Sequence, residues 1–215
     1  MYLPAQFEES NVAVLHELIA QYPFGSLITG SDGGLDANHL PFVLETREQG
    51  LGVLHVHVAR ANPLWQAVAD GDAVLVIFHA GDAYVSPNWY PSKHATHRQV
   101  PTWNYRVVHA HGRITIRDDE KYVRGVVGRL TRAHEAAQPQ PWKMADAPKD
   151  YLDAMLASIV GIEIEITQLV GKFKLGQNKD ANDVRGAGEA LRASGQDTIG
   201  TAMLAQLGRQ ASPEE

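Results

Sequence analysis

Three stretches of this chain combine residue types that suit chemistry better than packing. In Asn38-His39-Leu40-Pro41-Phe42 a proline interrupts an extended run. Proline donates no backbone hydrogen bond, so it belongs at a sheet edge or bulge, and the break frees nearby N–H and C=O groups for an outside partner. In His57-Val58-Ala59-Arg60-Ala61-Asn62-Pro63 an arginine falls between a strand end and a helix start. A permanent cation beside the unpaired amides of a helix N-terminus suits a phosphate. The third stretch is Tyr84-Val85-Ser86-Pro87-Asn88-Trp89-Tyr90-Pro91-Ser92-Lys93, followed by Val100-Pro101-Thr102-Trp103-Asn104-Tyr105. Rings and prolines can wall a flat heterocycle while hydroxyls and amides read its polar edge. An aromatic-rich subunit interface uses the same residues, and the two readings are compatible.

Other chemistries lack their motifs. No GxGxxG follows a strand, no GxxxxGK[ST] or GxSxG occurs, and there is no HExxH. Rossmann, P-loop, nucleophile-elbow and zincin readings therefore have no support. His55 and His57 stand two apart on one strand face, as do His109 and His111, with His94 and His97 nearby on a loop. That spacing points paired rings the same way, but it is a loose metal signal and both strand windows lack a carboxylate. These histidines are read as a polar strand face or a subunit interface, with no metal site.

The elements that position these stretches follow from periodicity. Leu15, Leu18, Ile19 and Tyr22 predict an amphipathic helix over about Glu8–Gln21. Phe24–Gly30 and Leu35–Thr46 read as a hairpin around Ser31-Asp32-Gly33-Gly34. Leu51–Val58 is a third strand, Ala61–Asp70 a short helix, and Ala73–His79 an apolar strand that Tyr84–Ser86 extends. Pro87–Pro101 reads as a long functional loop. Thr102–Arg117 is the cleanest strand, with Val108, Ala110, Ile114 and Ile116 on one face. Asp118 is expected to cap the helix that carries Val123, Val126, Val127 and Leu130. A helix at Tyr151–Ser158, a strand at Val160–Thr167 and helices near Asp183–Ala193 and Thr198–Leu207 follow, with a frayed tail at Ala211–Glu215. Regular βαβ alternation is missing, so the expected fold is a mostly antiparallel barrel with peripheral helices, an α+β arrangement.

The bulk numbers bound the partners. The 215 residues suffice for one well-cored domain. There is no cysteine, no apolar run long enough to span a membrane, and no secretory pattern at Met1–Ser10. A cytoplasmic protein with no membrane partner is expected. The net charge of −6 gives no general attraction to nucleic acid. The charge is uneven, however. Three windows, Gln49–Ala69, Ala83–Arg117 and Ile166–Lys179, contain no Asp or Glu, and they carry Arg60, Lys93, Arg98, Lys172 and Lys174 among other cations. That pattern favours a local anion site.

The stretches quoted above, the opening Met1-Tyr2-Leu3-Pro4 and the late Gly171-Lys172-Phe173-Lys174-Leu175-Gly176-Gln177-Asn178 together resemble the PaiB-type family of FMN-binding negative transcriptional regulators. The resemblance runs in the same order from about Met1 to Leu191. It implies an antiparallel split β-barrel over 1–170, a C-terminal helical extension over 171–215, and a homodimer with FMN at its interface. It assigns the FMN phosphate to Arg60, Ala61 and Asn62, with Lys93 a further cofactor contact. His39, Leu40 and Pro41 would contact the isoalloxazine, Thr102, Trp103 and Asn104 would approach it, and Lys174 and Gln177 would add a late contact. Gly176 stands where the family pattern implies a serine, which removes one hydroxyl. The regulator role comes wholly from the resemblance, since no helix-turn-helix or basic helix supports DNA binding. An FMN-dependent oxidoreductase of the pyridoxine-phosphate-oxidase-like class and a haem-handling relative stay open as alternatives.

Overall fold

The computed structural model describes residues 1–31 and 33–210; the turn residue Asp32 and the expected frayed tail at 211–215 lie outside the described residues. After a 3-10 turn at Ala5–Phe7 come β1 (Glu8–Glu9), α1 (Val12–Gln21), β2 (Phe24–Ser31), β3 (Gly34–Pro41), β4 (Val43–Glu45), β5 (Val53–Ala59) and α2 (Leu64–Ala67). Then follow β6 (Ala73–Val85), a 3-10 turn at Pro87–Trp89, α3 (Pro91–Thr96), β7 (Thr102–Arg117) and α4 (Glu120–Glu135). After a 3-10 turn at Met144–Asp146, the chain ends with α5 (Lys149–Ala157), β8 (Ile159–Lys174), α6 (Ala181–Ala193) and α7 (Asp197–Gln210). The strands form one sheet in the order β3-β2-β6-β7-β8-β5-β4, with β1 paired to β8. Every pairing whose register is resolved is antiparallel.

The chain divides into two compact units, to both of which β6, β7 and β8 contribute residues. The first comprises Met1–Asn11, His79–Val108 and the described part of the chain from Val170 onward. Its core includes Val85, Tyr90, Val107, Phe173, Val184, Leu191, Ile199 and Met203. The second comprises Val12–Phe78 and His109–Leu169. Its core includes Leu15, Ile19, Leu27, Phe78, Val56, Ile114, Val126 and Ile162.

Several expectations are corrected. Glu8 and Glu9 do not begin a helix; they pair with Lys172 and Gly171 as β1, and the helix starts at Val12, where its apolar stripe begins. The run Leu35–Thr46 is two strands, because Pro41 ends β3 and the Phe42 amide turns to the Pro23 carbonyl. β3 lies at the end of the sheet order, so the proline falls at an edge strand. Pro87–Pro101 is not structureless: it holds a 3-10 turn and α3. The cap of α4 is Asp119, whose carboxylate accepts the Tyr122 amide, and not Asp118. β8 continues seven residues beyond Thr167, to Lys174.

Close packing within the second unit depends on one small residue in β7. A Cβ on Gly112 would lie 2.5 Å from Ile164 Cγ2 and 2.6 Å from the Glu165 carbonyl oxygen. The second obstacle is backbone, so it cannot swing away. Gly112→Ala is expected to destabilise the protein by about 1–3 kcal/mol through overpacking. A thermal melt with an unchanged midpoint would show that β7 and β8 can separate there freely.

Candidate functional site

The first unit contains a cavity of about 210 Å³ where β7 begins and β8 ends. Phe7, Tyr90, Val100 and Pro101 give it apolar walls; Thr102, Asn104, Lys174 and Lys179 give it polar ones. No carboxylate lines it. Lys174 Nζ donates to Thr102 Oγ1 at 2.5 Å, and Lys179 Nζ donates to Gln99 Oε1 at 2.6 Å. Gln99 is held in turn by Asp183, a 1%-exposed carboxylate that also accepts the Ser92 amide and hydroxyl. Burial, the main cause, lowers the Lys174 pKa; Tyr105 opposes this, and the Lys172 and Lys179 charges add to it. Asn104 is 1% exposed, and its Nδ2 donates to Met203 Sδ. Its Oδ1 is buried without a hydrogen-bond partner. An orphaned acceptor of this kind costs free energy until a donor reaches it.

The other expected residues of the first unit have different roles. Trp103 is 55% exposed and meets Tyr84 edge-on at 6.0 Å between centroids. Lys93, on α3, donates to Asn88 Oδ1. Gln177 closes the turn after β8: its Oε1 accepts the Leu175 amide and its Nε2 donates to the Phe173 carbonyl. That turn passes through Gly176 at φ +91°, a left-handed conformation that suits glycine. Lys172 is 8% exposed; its ammonium donates to the Tyr2 carbonyl and sits over the Tyr2 and Tyr105 rings. Tyr90 is buried and Trp89 half-buried, whereas Tyr2, Tyr84 and Trp103 are the exposed aromatic residues of the unit.

The second unit holds His39, Leu40, Pro41, Arg60, Ala61 and Asn62. His39 is exposed on β3, with Nδ1 2.9 Å from Ser26 Oγ. Asn62 Nδ2 donates to Asn38 Oδ1 at 2.7 Å. Arg60 forks onto both Asp118 oxygens, at 2.5 and 2.8 Å, and also donates to the Ala157 and Ile159 carbonyls. Four of its five N–H donors are thereby engaged. The expected free amides are also corrected: α2 is one turn at Leu64–Ala67, and the Asn62, Leu64, Gln66 and Ala67 amides all have acceptors. The Asn62 side chain folds over the Leu64 amide, its Oδ1 accepting that N–H at 2.9 Å.

Sequence reasoning missed Phe7 and Lys179 as cavity walls, while Tyr90 falls in the aromatic stretch read as walling a heterocycle. The acid-free window ending at Lys179 was the available signal. It also missed what surrounds His55, which is 3% exposed. His55 Nδ1 lies 2.7 Å from the Tyr122 hydroxyl, and its Nε2 lies 3.2 Å from Glu45 Oε2, a carboxylate that comes from β4. Among the described residues no group of three or more His, Asp or Glu is placed to hold a metal ion.

The family model described as "Putative FMN-binding domain" matches residues 1–168. The chain belongs to this FMN-binding family. Within it, an uncharacterized protein of Emericella nidulans is 34% identical, covering 94% of this chain and 92% of its own length. The protease synthase and sporulation protein PAI 2 of Bacillus subtilis is 27% identical and covers 89% of both chains, so the PaiB-type resemblance stands. Among solved structures, the FAD and heme binding protein from Mycobacterium smegmatis superposes with a TM-score of 0.58 at 18% identity, covering 87% of this chain and 80% of that one. The flavocytochrome Anf3 from Azotobacter vinelandii does so with a TM-score of 0.56 at 12% identity, covering 78% and 69%. The fold is the split β-barrel, and the cofactor of the family is FMN. Among the described residues no helix is long and apolar enough to cross a membrane.

Burial governs two histidines of this FMN-binding protein. His55 is lowered by burial first and by Arg129 next, against Glu45 and Glu163; His57 is lowered by burial alone, and its Nδ1 has no partner. Both folded pKa values fall below the unfolded value near 6.5. The unfolded chain then binds more protons in the window just below that value, so stability falls as pH drops from about 7 toward 5. Thermal melts at pH 7.5 and 5.5 should show this loss, and H57L should flatten part of it. Equal slopes for H57L and wild type would remove His57 from the effect.

Proposed function

We propose that the polar edge of FMN's isoalloxazine rests against Thr102, Asn104, Lys174 and Lys179 in the first unit. The observation that carries this reading is Asn104 Oδ1, a buried acceptor without a partner, in a cavity that two lysines also line. The pyrimidine edge of a flavin presents acceptor, donor and acceptor. Lys174, Asn104 and Lys179 present donor, acceptor and donor, with Phe7, Tyr90 and Pro101 as apolar walls. When bound, FMN supplies hydride and single-electron chemistry. The residues here bind and orient the ring edge. On this reading the stretch from 171 onward supplies Lys174 and Lys179 to the site. Arg60 has one N–H left beside Asp118, so its chief contribution is to the fold of the second unit.

A second copy of the chain completes the site. The cavity's 210 Å³ is below the roughly 300–1,000 Å³ of ligand pockets. Val100, Trp103 and Tyr84 stand 68%, 55% and 44% exposed in the same unit, and Val100 lines the cavity itself. Lys174→Ala is expected to weaken FMN and riboflavin alike, by about one to two decades, as the loss of a charge-assisted contact implies. Arg60→Ala should lower the melting temperature and leave the FMN-to-riboflavin ratio alone. A Lys174→Ala effect confined to FMN would move the phosphate to Lys174, and no effect on either ligand would sink the assignment. In sedimentation followed at the flavin absorbance, the flavin should travel with a species twice the 23.5 kDa chain mass. Flavin on a single-chain species would remove the partner copy from the site.

The regulator role is supported by the family resemblance and by the Bacillus relative, whose name ties it to protease synthesis and sporulation. Lys93 and Arg98 lie in or beside α3, in an acid-free window, and offer a local basic surface on a chain of net charge −6. Direct binding to its own upstream DNA should weaken steeply between 50 and 200 mM salt. No retardation at low salt, together with NAD(P)H oxidation by the FMN-loaded protein, would favour the oxidoreductase alternative.

A further inference from the structure

We propose that the cleft beside α4 in the second unit is a separate binding site for a small oxyanion, a carboxylate or phosphate group, held by Arg47, Lys121 and Arg129. The cleft measures about 440 Å³ and shares no lining residue with the cavity around Asn104. Arg47, Arg117, Lys121 and Arg129 line it, against Glu45, Asp119 and Glu163. Two of the acids have their own tasks. Asp119 Oδ1 caps α4 through the Tyr122 amide, and Glu163 holds Arg117 at 3.1 Å. Glu45 is left to serve Arg47 at 3.4 Å, Arg129 at 3.5 Å and His55 at 3.2 Å. These contacts are long beside an ordinary N–H···O distance near 2.9–3.0 Å. One carboxylate is shared among two guanidinium groups and an imidazole and satisfies none of them closely. Arg129 Nε is buried with no partner, and exposed Lys121 has no hydrogen bond or ion pair among the described residues.

Two guanidinium groups with unused terminal N–H donors and a free ammonium in one cleft match the several acceptor oxygens of a carboxylate or phosphate. The acids in the lining limit the ligand to a compact one. A polyanion such as nucleic acid would set its remaining charge against Asp119 and Glu163.

The site is coupled to His55. The groups facing that ring are Glu45 from β4, Tyr122 and Arg129 from α4, and Glu163 from β8. An oxyanion on Arg47 and Arg129 offsets the Arg129 charge and loosens both arginines from Glu45, which is then freer to hold an imidazolium. Binding therefore takes up a proton and tightens as pH falls.

Calorimetric titration of the full FMN-loaded chain with sodium acetate and, separately, inorganic phosphate tests this, with sodium chloride of equal ionic strength as the reference. One saturable site is expected for at least one oxyanion, and the pair of titrations shows whether carboxylate or phosphate is preferred. Arg129→Gln should weaken it at least tenfold and Lys121→Ala severalfold. Lys149→Ala, an exposed lysine outside the cleft, should leave it unchanged. Lys121 is exposed, so its loss does not threaten folding. Acetate should bind more tightly at pH 6 than at pH 7.5, and H55Q should remove that difference. No saturable binding of either oxyanion, or binding that survives Lys121→Ala and Arg47→Gln combined, overturns the site; pH-independent acetate binding overturns its coupling to His55.

Discussion

The pairing of β7 with β8 is the constraint on which the cavity around Asn104 depends, and it also supplies Arg117 and Glu163 to the wall of the cleft beside α4. Each strand runs sixteen residues. Thr102 and Asn104 open β7 and Lys174 closes β8; Arg117 closes β7 and Glu163 lies near the start of β8. Side chains alternate along a strand, so a slip of one residue would turn every one of these groups to the opposite face. Gly112 helps to fix the register in the second unit, since only a residue without a Cβ lets the Glu165 carbonyl approach so closely.

The strand that was easiest to read was read to the residue. Thr102–Arg117 alternates apolar and polar positions almost throughout, and its ends coincide with those of β7. β8 was read short because Gly171-Lys172-Phe173-Lys174 looks polar. Lys172 takes its strand position with its ammonium over the Tyr2 and Tyr105 rings and on the Tyr2 carbonyl, and Lys174 takes its own by donating to Thr102 Oγ1. Composition also singled out the amides and cations after Val100, and of these Asn104 and Lys174 line the cavity. It could not show that Gln177 would be absorbed by its own turn, because a side chain bonding two and four residues back looks like any other exposed amide.

Arg60 shows what local reading leaves out. Its neighbours in sequence suggested a helix terminus and a phosphate, whereas its partner, Asp118, is 58 residues away and was assigned to a cap. The cleft beside α4 was hidden for the same reason. Glu45, His55, Tyr122 and Arg129 lie on three elements, and nothing about any one of them is unusual until β4, β5 and α4 bring them together. Charge followed a similar rule. An acidic total coexists with a cavity that has no acid in its lining, because most of that lining comes from the acid-free windows Ala83–Arg117 and Ile166–Lys179.

The turn at Gly176 bears on how sequences of this family can diverge. Its backbone, at φ +91°, lies where a side chain is strained, and a Cβ there would meet Val184 Cγ2 at 3.4 Å. A serine at this position therefore cannot simply be added as a hydroxyl. It would require the main chain between Leu175 and Asn178 to take another path, and would move Asn178 and Lys179 with it. Gly176 thus sets the path of the loop that brings Asn178 and Lys179 into the cavity lining, and exchanging this one residue without its neighbours should disturb that lining.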